Sequence, residues 1–167
     1  MPRSLKIWLW LAVVVAAIGL GGKLFELFII SPAWAAAPPE SLKLMPYGPR
    51  YPLDPGDFFI PVSLLIIVSY FAALIVGRKG SRAVKILLIA PIVMLVIWGV
   101  ATPVVFWPMI AELYYNGTGR LVSNQAELAA LIQKWFVLDT IRALLVAGGL
   151  TCHIILLNRR WEERPVE

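Results

Sequence analysis

The sequence predicts an all-α protein, a four-transmembrane-helix bundle with N- and C-termini cytoplasmic and a Pro-rich first outer loop. Three observations carry this. Hydrophobic residues make up 60% of the 167-residue chain and the mean hydropathy is +0.80, more apolar surface than one small soluble core can hide. Four segments, at about 7–30, 58–76, 86–109 and 136–157, reach the roughly 20 mainly apolar residues that a bilayer crossing requires. Finally, Lys and Arg alternate between the connections. Arg3, Lys6, Arg78, Lys79, Arg82, Lys85, Arg159, Arg160 and Arg164 fall on one side, and only Lys43, Arg50, Arg120 and Lys134 on the other. The richer side is expected to be cytoplasmic. Residues 1–167 therefore read as a single integral membrane domain, a multi-pass protein with its basic side in the cytoplasm.

The first segment competes with a cleavable signal peptide, because "AWAAAP" offers small-residue sites at Ala33–Ala35 and Ala35–Ala37. The bulky, charged stretch from Phe25 to Trp34 is too long for the region before a cleavage site, so a retained span is expected. Residues 38–57 hold six prolines and should form extended, turn-rich backbone, either a linker or an ordered cap in which Tyr47 and Tyr51 pack. The third segment carries Pro91, Pro103 and Pro108, which predicts a kink or break near "ATPVVFWP". Asn124 followed by Glu127 reads as a capping box that starts the fourth helix before the membrane. Trp8, Trp10 and Trp161 suit an inner aromatic belt, and Trp34 and Trp135 an outer one. The "NGT" sequon at 116–118 is expected to be a chance match.

Charge inside the apolar runs is the informative exception. Lys23 and Glu26 lie past the midpoint of the first span, and Asp139 and Arg142 lie just inside the outer end of the fourth. An ionisable side chain at mid-bilayer costs roughly 2.5–3.5 kcal/mol on insertion scales, so such groups face the bundle interior and find partners. Each pair is spaced i, i+3 and shares a helix face. On the fourth helix Trp135, Asp139, Arg142, Val146, Gly149 and His153 fall within one quarter of the circumference, and Gly19, Gly22, Lys23 and Glu26 form a matching stripe on the first. Small residues beside charged ones leave room for a polar pocket. Glu112 could join this layer from the third span, with Trp98 and Trp107 as aromatic walls. The structural alternative is mutual neutralisation, with Lys23 snorkelling outward. His153 reads as a packing histidine, since no second metal ligand lies near it on the helix. The single Cys152 excludes an internal disulfide and a thiol-pair mechanism. Absence of a phosphate loop, an H-E-x-x-H pair or a serine elbow argues against soluble-type hydrolases and nucleotide enzymes. The scattered basic residues give no nucleic-acid stripe.

The stretches "FELFIISPAWAAAPPESL" at 25–42, "FFIPVSLLI" at 58–66 and "KWFVLDTIR" at 134–142 resemble a family of small bacterial four-span membrane proteins. That family is in turn similar to the anthrone oxygenase-like group. The recurring features are an acidic residue in the first span followed by P-x-W, and W-x-x-x-x-x-x-R entering the last, here Glu26, Pro32, Trp34, Trp135 and Arg142. The resemblance implies a four-helix membrane bundle with a polar site near its outer end and oxidation of a phenolic substrate without metal or flavin. Asp139 and Thr140 stand where members of that group often have Asn and His.

Two function classes follow. In the first, Glu26, Asp139 and Arg142 are catalytic and Lys23, Trp98, Trp107, Glu112 and Trp135 bind a small hydrophobic or phenolic ligand. A carboxylate acts as base, and Arg142 and Lys23 stabilise the resulting anion. No cofactor and no metal is expected. In the second, the protein is a non-enzymatic accessory or assembly subunit whose charges serve the fold or a membrane-protein partner. The bilayer is a partner in both.

Overall fold

The computed structural model describes residues 1–47 and 52–159; Tyr51, Arg50, Arg160, Trp161 and Arg164, invoked above, lie outside them. The described residues are helical and contain no strand. In order they form α1 (Arg3–Phe25), α2 (Ser31–Ala35), α3 (Pro55–Gly77), α4 (Arg82–Ala101), α5 (Trp107–Gly117) and α6 (Gln125–Asn158). Because α1 runs into α2 and α4 into α5 through single wide turns, four rods result: Arg3–Ala35, Pro55–Gly77, Arg82–Gly117 and Gln125–Asn158. Each is long and apolar enough to cross a membrane. All four extend beyond the predicted apolar cores. At 34 residues, α6 is about 51 Å long against a hydrocarbon core of about 30 Å.

Helix α1 packs on α3 and α6, and α4 completes the ring by packing on the same two. Each rod contributes one stripe at helical spacing. On α1 the buried residues are Leu5, Leu9, Ala12, Val15, Ala16, Gly19 and Lys23; their small members let the neighbouring backbones approach. The opposite faces stay apolar and uncovered: Ile7, Ile18, Ile60, Ile75, Val104 and Leu144 are all more than half exposed. Water would penalise that surface and lipid would not. The interior divides by depth. Leu5, Leu9, Ala73, Val84, Leu88 and Leu156 pack at the end where α1 begins and α6 finishes, called here the terminal end. Trp34, Leu42, Met45, Phe106, Met109, Leu113, Leu128, Ile132 and Trp135 pack at the opposite, loop end. Trp34 and Trp135 are thus core residues, each 2% exposed, and not members of an outer belt. Their rings meet edge to face at 6.1 Å, which buries them more completely than a headgroup position would.

Proline does not break the third rod. The helix widens into a π turn at Thr102–Phe106, where the Trp107 amide bonds to the Thr102 carbonyl. The first rod does the same at Glu26–Ile30, where the Ser31 amide bonds to the Glu26 carbonyl. Both turns end two residues before a proline, Pro32 or Pro108. A proline ring crowds the carbonyl four residues back and supplies no donor to it; opening the preceding turn relieves the crowding without ending the helix. On the first rod Glu26 and Leu27 both face inward, and the buried stripe resumes at Ser31 and Trp34.

The described part of the proline-rich connection is an ordered cap. A short 3-10 turn at Glu40–Leu44 buries Leu42 and Met45 to 1% and 2% exposure. Ser41 Oγ accepts from the Ala37 amide at 2.9 Å and donates to the Trp34 carbonyl at 2.7 Å. The cap needs Gly117: a Cβ there would lie 2.9 Å from the Leu42 carbonyl carbon. The expected capping box opens α6, with Asn124 Oδ1 accepting from the Glu127 amide at 2.9 Å. A second one, Asp54 with Asp57, was hidden in the proline-rich sequence. Asn116 of the sequon is buried, and its side chain bonds the Glu112 carbonyl and Ser123; that engagement keeps the amide out of reach of a modifying enzyme.

Candidate functional site

The charged stripes of α1 and α6 meet. Lys23 Nζ donates to Asp139 Oδ1 at 3.0 Å and Oδ2 at 3.3 Å across the helix pair, and pairs with Glu26 Oε2 one turn along its own rod. Arg142 Nη2 pairs with Asp139 Oδ1. The result is a linear chain, Glu26–Lys23–Asp139–Arg142, of two anions and two cations and no net charge. Asp139 is completely buried, Lys23 4% exposed and Glu26 8% exposed. Burying any of these alone would cost several kcal/mol; pairing offsets that cost only when geometry and stoichiometry both match.

Aromatic faces complete the cations' surroundings. Lys23 Nζ lies 5.1 Å from the centre of the Phe59 ring, and Arg142 Cζ lies 4.1 Å over Phe106. Phe106 ends the π turn of the third rod and also meets Trp135 edge to face at 5.4 Å. The two π turns therefore deliver Glu26 and Phe106 to one layer from different rods. Above it stands the loop-end core with Trp34, Trp135 and the cap. Tyr47, at the end of the described cap, is close enough to feel the layer: burial pushes its phenol well above the ordinary range. The Glu26 carboxylate adds to the shift, and the Arg142 guanidinium opposes it.

Of the eight residues marked in the sequence, six occupy this region. Glu26, Asp139, Arg142 and Lys23 form the charge chain, and Trp135 lies in the roof. Trp98 faces a void of about 10 Å³ that also touches Lys23, Phe59 and Arg142, room for about one water molecule. Trp107 is 60% exposed and Glu112 is exposed; the π turn before them carries both away from the layer, so neither is brought to it. Phe59, Phe106 and Tyr47 were missed. Their only signal would have been depth, which cannot be matched between helices without knowing which of them touch.

Several buried polar atoms in and around the layer have no hydrogen-bond partner. Trp135 Nε1, Trp98 Nε1 and Arg142 Nε are buried donors without acceptors, and Ser31 Oγ is buried without a partner. On the acceptor side, Glu26 is engaged only through Oε2. Among the described residues no three His, Cys, Asp or Glu side chains gather as metal donors. Farther toward the terminal end, His153 is fully buried against Tyr70, ring centres 4.4 Å apart, and its Nδ1–H donates to the Gly149 carbonyl at 3.0 Å.

Four apolar rods around a neutral buried charge layer make the architecture of a multi-pass membrane protein. Compared with known proteins, the chain matches no family model, no curated protein and no solved structure.

Proposed function

We propose that this is a multi-pass protein of the bacterial inner membrane, with both termini cytoplasmic, that binds a small phenolic molecule in the outer half of its bundle. The excess of Lys and Arg at the terminal end supports the orientation. The observation that carries the ligand reading is the surplus of buried donors around Phe106. Its ring contacts both Trp135 and Arg142, and each of those side chains keeps an N–H without an acceptor. Leaving a buried donor unmatched costs about 1–3 kcal/mol, and a phenol or phenolate oxygen is the acceptor that would remove the cost. Its ring would lie among Trp34, Phe106 and Trp135. Glu26 is the carboxylate with a free oxygen to take the phenolic proton, while Arg142 and Lys23 stabilise the anion left behind. In the anthrone oxygenase-like extension of the reading, dioxygen would be the oxidant, accepting the electrons of that anion and being reduced as the ring carbon is oxygenated. The void beside Lys23 and Arg142 is water-sized, so an aromatic ligand must displace the cap and Trp34 to enter.

The accessory-subunit reading is favoured by a different observation: every formal charge in the layer already has a partner within the chain. Arg142→Lys separates the two. Lysine keeps the charge balance and can pair with Asp139 but lacks the spare Nε–H. The ligand reading expects small aromatic molecules to co-purify with the native protein. It expects them to be lost from Arg142→Lys and Glu26→Gln, while Arg142→Lys melts within a few degrees of the native chain. Extraction and mass spectrometry showing no such molecule on the native protein, or equal amounts on Arg142→Lys, would sink it in favour of the accessory role.

A further inference from the structure

Among the described residues two serines are completely buried, and they behave differently. Ser69 Oγ donates to the Ile66 carbonyl on its own helix at 3.0 Å. Thr102, Thr140 and Thr151 do likewise, each to the carbonyl four residues back. Back-bonding of this kind satisfies a hydroxyl that has no water to turn to. Ser31 is the exception: it is 0% exposed, and its Oγ has no hydrogen-bond partner.

The place of Ser31 in the bundle gives the exception a meaning. The first rod runs toward the loop end, and Ser31 follows Glu26 by one wide turn, its amide bonded to the Glu26 carbonyl. The α6 rod runs the opposite way, and Trp135 precedes Asp139 by one ordinary turn. Lys23 and Asp139 tie the two rods together at the charge layer. By backbone position, Ser31 and Trp135 therefore both stand about one turn nearer the loop end than that layer. Trp34, three residues beyond Ser31, meets the Trp135 ring. Trp135 Nε1 is unpartnered too, so facing rods each carry a buried, unmatched polar atom, with Arg142 Nε a third.

On the phenolic reading, one ligand oxygen does not serve all three. A phenol oxygen has two lone pairs. Accepting from Arg142 Nε–H and Trp135 Nε1–H uses both, and the Ser31 hydroxyl is still without an acceptor. A buried donor left that way weakens binding, and a second oxygen on the ring removes the penalty.

We propose that the ligand is a ring carrying two oxygens, of the hydroquinone or alkoxyphenol class, and that Ser31 selects it by donating to the second oxygen. This inference rests on the phenolic reading and adds to it a residue that reads the substituent and not the phenol.

The test is equilibrium dialysis of the purified full-length chain in detergent, with protein-free micelles as the blank. The probes are the three methoxyphenols, each paired with the ethylphenol of the same ring position. Each pair keeps the shape and the phenol and exchanges the second oxygen for a methylene. At one ring position the methoxyphenol should bind the native chain about two- to tenfold more tightly than its partner, the effect of one hydrogen bond. Ser31→Ala should lose that preference and leave ethylphenol binding unchanged. Ser69→Ala, whose lost hydroxyl serves its own helix, should keep it. Without ligand, Ser31→Ala should melt at or above the native temperature, because it removes a polar atom that the fold leaves unmatched. Equal affinity within all three pairs, as a water trapped on Ser31 would give, overturns the proposal and leaves the phenolic reading standing. So does a preference undiminished in Ser31→Ala, an equal loss from Ser69→Ala, or a Ser31→Ala variant that melts several degrees lower. Failure of every probe to bind the native chain removes the phenolic reading and this inference with it.

Discussion

Replacing Asp139 by Asn tests the buried charge layer most directly. The side chain is completely buried and accepts from Lys23 at 3.0 and 3.3 Å and from Arg142. Asparagine preserves the shape, removes the charge, and leaves Lys23, Glu26 and Arg142 with a net charge of plus one in hydrocarbon. Breaking a buried pair from one side costs about 3–5 kcal/mol, and at about 2–4 °C per kcal/mol for a chain of this size the melting temperature should fall by about 6–20 °C. Neutrality, not the loss of any one hydrogen bond, is the claimed cause. Adding Lys23→Met restores it, leaving Glu26 against Arg142, so the double variant should be more stable than Asp139→Asn alone although it has lost more contacts. Thermal unfolding in detergent, followed by circular dichroism, reads both, and the cycle isolates the coupling. If Asp139→Asn melts with the native protein, or if the double variant is less stable than the single by the full cost of Lys23→Met, the layer is not held together by charge balance.

Gly117→Ala should unseat the loop-end cap, because the new Cβ meets Leu42 backbone atoms at 2.9–3.0 Å; a loss of about 1–3 kcal/mol is expected from such overpacking, with faster proteolysis in residues 37–47 as the readout. Tyr47 should resist ionisation: its phenol is pushed up mainly by burial and then by Glu26. A group with a raised folded-state pKa contributes stability that is full below its unfolded value near 10 and is lost as pH climbs past it. Alkaline melting curves should therefore fall less steeply above pH 10 for Tyr47→Phe than for the native chain, and identical slopes would refute the coupling.

How much of this was legible in the sequence depends on what each feature needs. The four spans required only local hydropathy. So did the stripes at 19–26 and 135–153, most of whose members the bundle buries while Gly22, Arg142 and Val146 are half-buried: helical spacing fixes which residues of one helix share a face. The Asn124–Glu127 box was readable because both partners lie in one turn. Pro108 was visible, but its effect on the preceding turn was not. A ring clash with the carbonyl four residues back can end a helix or widen it, and here the helix widens at Thr102–Phe106. That choice carried Trp107 and Glu112 outward.

What only the tertiary structure decided is the joining of the two pairs. Lys23 with Glu26 and Asp139 with Arg142 are local facts of spacing, and each pair taken alone could have stood as a separate, self-neutralised unit. The contact of Lys23 with Asp139 spans 116 positions and depends on which rods are neighbours, the depth at which they cross and the rotation of each about its axis. The sequence by itself determined that charge would be buried and on which faces, because a lipid environment leaves those side chains few other places to go. It did not determine that the faces would close on each other around Phe106 and Phe59, since adjacency in a bundle is set by the summed fit of all four rods.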